Sequence, residues 1–194
     1  FTSIPAAIWQ KGFNVIANAN IILAEAQRKD ESFFVNELYK ELIEGEMHGV
    51  RALMHFELMR YFTPAFTTEA NKKAVLMPYV DTYPCAYPTH IASTQVLDKA
   101  IKDMEIAREK LARMDTLVWY VQNGNSLYRF KTNSGTTQPP RLFMHWRGSR
   151  MNHFAATALL ARMYLWKGDY TNARKYAQIV MNGFTEGYIK FKFT

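Results

Sequence analysis

The chain has 194 residues, 48% of them hydrophobic and 21% charged, which suffices for a substantial core and excludes disorder over most of the length. Its net charge of +7 and isoelectric point near 9.4 raise nucleic acid or an anionic surface as partners. The cations are dispersed, however. Lys99, Lys102, Arg108, Lys110 and Arg113 alternate with Asp98, Asp103, Glu105 and Glu109, the pattern of a solvated helix face, and Arg141, Arg147 and Arg150 form no nucleic-acid motif, so no nucleic-acid partner is assigned.

The first predicted helix runs from about Pro5 to Arg28, with Ser3 as N-cap and Pro5 in the first turn, where its missing N–H costs nothing. Trp9, Phe13, Ile16, Asn20 and Leu23 recur at four, three, four and three residues, one stripe of the helical period. Asn20 is the odd member: it either hydrogen-bonds a neighbouring helix or sits at the edge of the face. A second helical run covers roughly Glu31 to Phe62, with Phe34, Leu38, Leu42, Ala52, Phe56 and Met59 on its apolar side. Gly45 and Gly49 in its middle each cost about 1 kcal/mol relative to Ala, and mark a close approach of another helix or a bend. Thr63-Pro64 stops the run.

From 63 to 92 the pattern is irregular. Pro78, Pro84 and Pro88, with Tyr79, Tyr83 and Tyr87 among them, predict a long ordered loop with neither continuous helix nor central strand. The lone cysteine, Cys85, excludes an internal disulfide and has no activating neighbour. Helix returns from Ser93, read as an N-cap, to Met114, with Leu97, Ala100, Ile101, Met104, Ala107 and Leu111 inward. A second irregular stretch, 115–151, places Asn123-Gly124-Asn125 between two aromatic-rich segments, a hairpin signal.

The segment 152–183 splits into two short helices around Lys167-Gly168-Asp169-Tyr170. Gly168 is expected in a left-handed C-cap, and Asp169 or Thr171 caps the next helix. Ala158, Ala161 and Leu165 on one helix, with Tyr170, Ala173 and Ala177 on the other, give faces that pack closely, and Trp166 is expected in the core. The spacing matches the tetratricopeptide repeat from its middle onward. The predicted architecture is therefore mainly all-α: a tetratricopeptide-like superhelix of antiparallel helix pairs, carrying the irregular insertions and a small hairpin.

Five ordered blocks resemble the SusD/RagB family: WQKGFNVIANANIILAE (Trp9–Glu25), EGEMHGV with RALMHFELMRYF (Glu44–Phe62), LMPYVDTYP (Leu76–Pro84), STQVLDKAIKDMEIAREKL (Ser93–Leu111) and the alanine-rich hairpin. Met47-His48 and Thr63-Pro64 depart from the family's small residues and glycine. Members are longer and begin with a lipid-bearing cysteine; both ends of this chain read as cut, which makes it one helical domain trimmed from something longer. The resemblance implies a lipid-anchored protein at the bacterial outer-membrane surface. It would capture a nutrient, an oligosaccharide first of all, for a TonB-dependent, SusC-like transporter, with no cofactor and no bond broken. The alternative is a tetratricopeptide adaptor that holds a protein or peptide partner.

Sugar binders stack aromatic rings on pyranose faces and satisfy hydroxyls with Asn, Asp and Arg. Trp119, Tyr120, Tyr128 and Trp146, with Asn123 and Arg129, are the first candidates; Tyr79, Tyr83 and Tyr87 form the alternative set. In both, rings packed on the helices are the competing explanation. No metal site is assigned: Glu44, His48 and His55 lack the Glu-x-x-His pair of a bundle di-metal centre, and no phosphate loop, serine elbow or zinc-protease motif occurs.

Overall fold

The computed structural model describes residues 3–116 and 149–182. Among them, five long helices lie in sequence order, each packed on the next: α1 (Ile4–Arg28), α2 (Glu37–Phe62), α4 (Ser93–Asp115), α5 (His153–Lys167) and α6 (Tyr170–Asn182). A short α3 (Glu69–Lys73) and two strands, β1 (Val75–Pro78) and β2 (His90–Ala92), fill the connection between α2 and α4.

The side-chain pairings fix the directions. Asp103, Lys110 and Arg113 of α4 meet Arg51, Glu44 and Glu41 of α2: as one number rises the other falls, so the two helices are antiparallel. Asp98, Glu105 and Arg108 of α4 meet Lys167, Tyr164 and Thr157 of α5 in the same descending order. The α1–α2 pair runs likewise, through Trp9 with Phe62, Phe13 with His55 and Asn20 with Arg51. Helices α2 and α5, each antiparallel to α4, are parallel to one another, as Gly49 against Met151 and Glu57 against Arg162 confirm. This alternation is the all-α, tetratricopeptide-like array expected from the helical hairpin.

Each boundary has a local cause. Ser3 caps α1, its hydroxyl accepting from the Ala6 N–H. The second helix begins later than its periodicity suggests: Glu31–Phe33 forms a separate single turn, and Asn36 caps α2 by accepting from the Tyr39 N–H. Ser93 is the first residue of α4 rather than its cap. Its N–H and hydroxyl both donate to the Ala74 carbonyl, while the Gln95 side chain accepts from the Ala92 N–H. Gly168 ends α5 at φ 84°, and Asp169 opens α6 by accepting from the Asn172 N–H at 3.0 Å.

Two further expectations need correction. The connection 63–92 is not without strands: β1 and β2 pair antiparallel, with Pro78 at the last paired position, where the sheet tolerates it. In α5 the packed face is Ala156, Leu160 and Met163, whereas Ala158 and Leu165 are exposed; in α6 it is Ala173 and Tyr176, with Tyr170 exposed. The alanines suggested a stripe rotated from the true one, because small size marks room for contact and not the direction of burial.

The core runs through Ile16, Leu42, Phe56, Met59, Leu97, Met104, Leu111, Leu160 and Met163, all essentially inaccessible. Gly45 marks a close approach: a Cβ there would stand 2.8 Å from Leu111 Cγ and 3.1 Å from Lys110 Cβ across the α2–α4 contact. Gly45→Val should therefore destabilise the protein by about 1–3 kcal/mol through overpacking, measured by denaturant unfolding. Equal stability of the variant would refute the close packing of α2 on α4.

Candidate ligand-binding site

Three polar residues interrupt the apolar stripes of three helices, and all meet. Arg51 on α2 and Asp103 on α4 are 6% and 7% exposed. The guanidinium grips the carboxylate along one edge, Nε to Oδ2 at 2.6 Å and Nη2 to Oδ1 at 2.8 Å. Its remaining Nη1 donates to Asn20 Oδ1 on α1 at 2.8 Å and to the Asp81 carbonyl at 3.0 Å. Asn20 Nδ2 donates in turn to the carbonyls of Val80 and Thr82. The Tyr79 hydroxyl donates to Asp103, and His48 Nδ1 lies 3.1 Å from Asp103 Oδ1.

His55 completes the base of this loop. Its Nδ1–H donates to the Arg51 carbonyl at 2.9 Å and its Nε2 accepts from the Val80 N–H at 2.9 Å, a set that requires the neutral ring. Its ring stacks on Tyr79 at 3.9 Å between centroids. Burial holds the His55 pKa down to about 4. Burial alone would raise that of Asp103; hydrogen bonds from His48, Arg51 and Tyr79, with the Arg51 charge, outweigh it and hold the carboxyl well below its ordinary range.

The loop after Tyr79 is thus pinned from below by side chains of two helices, and its own rings divide. Tyr79 is buried in the core and takes no part in a surface site. Tyr83 and Tyr87 stand 54% and 95% exposed, beyond the pinned segment 80–82 in the chain. Of the alternative aromatic set, therefore, two rings are open to a ligand and one is structural. Cys85 lies exposed between them. The first set, Trp119, Tyr120, Asn123, Tyr128, Arg129 and Trp146, lies outside the described residues, as do Arg141, Arg147 and the expected hairpin.

The remaining candidates are engaged elsewhere. Glu44 pairs with Lys110 at 2.7 Å, and His48 and His55 serve the Arg51 network. Arg150 pairs with Glu46 at 2.6 Å. Asp103, read as part of a solvated face, is the buried exception among the charges of α4. Lys110 and Arg113 reach across to α2, while Lys99 reaches Asp81. No helix among the described residues is long and apolar enough to cross a membrane.

The sequence did not single out a pocket of about 390 Å³ at the C-terminal ends of α2 and α5. It is lined by Arg60, Ala65, Phe66, Thr67, Arg162, Leu165 and Trp166. Trp166, expected in the core, is half-buried on this wall, edge-on to Phe56 at 6.4 Å and with the Arg60 guanidinium 5.3 Å from its ring.

Two outcomes follow from the network. Asp103→Asn leaves a buried guanidinium without its counter-charge and should cost about 3–5 kcal/mol, seen as a fall in the denaturant midpoint; an unchanged midpoint contradicts a buried pair. For His55, a folded pKa below the unfolded value of about 6.5 means that the unfolded chain binds more protons, so its stability contribution is complete above that pH. It should fall by roughly 3 kcal/mol on acidification toward pH 4. Unfolding curves across that window should show a shallower dependence in His55→Gln. His153, also held low by burial, contributes a slope of the same sign that the variant retains.

Solved structures with this arrangement of helices share one architecture. A SusD superfamily protein from Bacteroides thetaiotaomicron is 21% identical, with 89% of this chain covering 31% of that one at a TM-score of 0.65. Another from Bacteroides vulgatus is 25% identical, 89% of this chain covering 33% of it at 0.61. Surface glycan-binding protein A from Bacteroides fluxus is 18% identical, 96% covering 31% at 0.59. The chain thus spans about a third of the length of these proteins. None of the curated proteins matches it. Residues 2–122 match a SusD-like family described as starch-binding associating with outer membrane, well over half of the 194 residues, and the chain belongs to that family.

Proposed function

We propose that this chain is the helical part of a lipid-anchored outer-membrane surface protein that captures an oligosaccharide for a TonB-dependent, SusC-like transporter, without catalysis. The family's description, binding of starch in association with the outer membrane, supports the substrate class and the location. The observation that carries the reading is a pair of exposed rings, Tyr83 and Tyr87, on a segment whose base is held by Arg51, Asn20 and His55. Exposed rings that follow a held stretch of backbone present flat apolar faces on which a sugar ring can stack. The antiparallel helix array gives the stiff wall that a transporter component needs, with variable segments at its edge for ligand.

Trp119, Tyr120, Tyr128 and Trp146 are proposed as further stacking rings, with Asn123 and Arg129 as hydrogen-bonding partners of the hydroxyls. Affinity electrophoresis in gels containing starch or other polysaccharides tests the reading. Tyr87→Ala, Trp119→Ala and Trp146→Ala should each weaken retention by about 2- to 12-fold, the equivalent of one stacked ring, with unfolding curves close to those of the parent. Retention unchanged in all three variants puts the sugar elsewhere.

A further inference from the structure

From the pocket between α2 and α5 we infer a second subsite, one that takes the carboxylate of an acidic sugar, a uronate within an oligosaccharide. It rests on the glycan-capture reading and narrows the class of glycan. Three observations carry it.

First, the charge is assembled and only partly spent. Glu57 bridges the two arginines, one oxygen 2.6 Å from Arg60 Nη1 and the other 2.7 Å from Arg162 Nη1. One carboxylate against two guanidiniums leaves a net positive charge. Each guanidinium has five N–H donors, and the bridge engages one nitrogen of each. Second, the guanidiniums are held in place. Arg60 and Arg162 lie 5.7 Å and 5.5 Å from the centroid of the buried Phe56 ring, and Arg60 also lies against Trp166. A cation fixed by stacking is prepared for the two-point contact that a carboxylate makes with Arg.

Third, the two charged side chains that line the pocket, Arg60 and Arg162, carry donors only. Trp166 Nε1 and Glu57 Oε1 are both buried without a hydrogen-bond partner among the described residues, so neither offers a group to a ligand. The Ala65 carbonyl on the rim is already taken by the Thr67 N–H at 2.8 Å and Asn71 Nδ2 at 2.9 Å. A neutral sugar presents hydroxyls that must donate as well as accept; an ionised carboxylate only accepts. The remaining wall, Phe66, Leu165 and the indole face, suits the C–H side of a pyranose ring. The volume, about 390 Å³, falls in the roughly 300–1,000 Å³ range of small-molecule sites.

Arg60 near the C-terminus of α2 also complements that helix's dipole, so ligand affinity and not stability is the readout that decides. The 194-residue chain is titrated calorimetrically with digalacturonic acid, with the neutral disaccharide galactobiose and with hexaglutamate, at low and high salt. Digalacturonate should bind about tenfold or more tightly than galactobiose, the order of one charge-assisted contact, and the advantage should shrink with salt. Arg162→Gln, at a half-exposed position, should abolish the advantage and Arg162→Lys retain part of it; Arg60→Gln gives an independent second variant. Equal affinity for the two disaccharides, or an advantage that survives both glutamine variants, overturns the inference and leaves glycan capture standing. Hexaglutamate binding with no sugar bound, or no binding at all, overturns the inference, while glycan capture stands or falls on retention in the polysaccharide gels.

Discussion

The fold depends on one buried ion pair. Arg51 and Asp103 bring opposite charges into the seam of the two most extensively packed helices, where either charge alone is costly. The pair is tolerated because its geometry is complete: the guanidinium spends two nitrogens on the carboxylate and its third on Asn20 and a backbone carbonyl, while Tyr79 fills another lone pair of Asp103. Such a pair adds little net stability over an apolar replacement. Its effect is to tie α1, α2 and α4 to the segment 79–82, because each of them supplies a partner to the same set of donors and acceptors. Displacing any one of these elements would strand a charge in the core.

That pair explains why the helices could be read from the sequence and the centre could not. The stripes of α1, α2 and α4, the Thr63-Pro64 stop and the Gly168-Asp169 turn are local signals, and the structure bears them out. The network is nonlocal, but its members left a trace. Asn20 occupies a core position in the α1 stripe, and Asp103 completes the series Val96, Ala100, Asp103, Ala107 at four, three and four residues. A polar residue inside an apolar stripe on each of two helices is a request for a partner on a third, and Arg51 supplies it. Reading Asp103 by charge alternation alone placed it in solvent, because alternating signs describe the sequence and not the side of the helix.

Other misreadings share that cause. Trp166, expected in the core from its place in the hairpin, packs against the core with one part of its indole and lines the pocket with another. The α2 start was extended back to Glu31 on the strength of Phe34 and Leu38, although Asn36 was a stronger local signal for a cap. The three tyrosines of the proline-rich connection were grouped by composition. Yet Tyr79 follows β1 and turns inward onto His55, whereas Tyr83 and Tyr87 lie beyond the last carbonyls that the network holds. Where the pinning ends, exposure begins.

The same constraint separates the two surfaces on which a ligand could rest. At the loop, backbone carbonyls are consumed by Arg51 and Asn20 below, so the exposed rings offer stacking and little polar selectivity. At the α2–α5 end the balance is reversed: two guanidiniums share one carboxylate, which leaves a net positive charge. Stacking rings discriminate weakly among sugars, since every pyranose has an apolar face, whereas an excess of donors penalises any ligand that cannot accept. On the proposed reading, affinity and selectivity would be set at opposite kinds of surface on one stiff array. The parallel course of α2 and α5, which follows from both being antiparallel to α4, is what brings Arg60 and Arg162 to the same end of it.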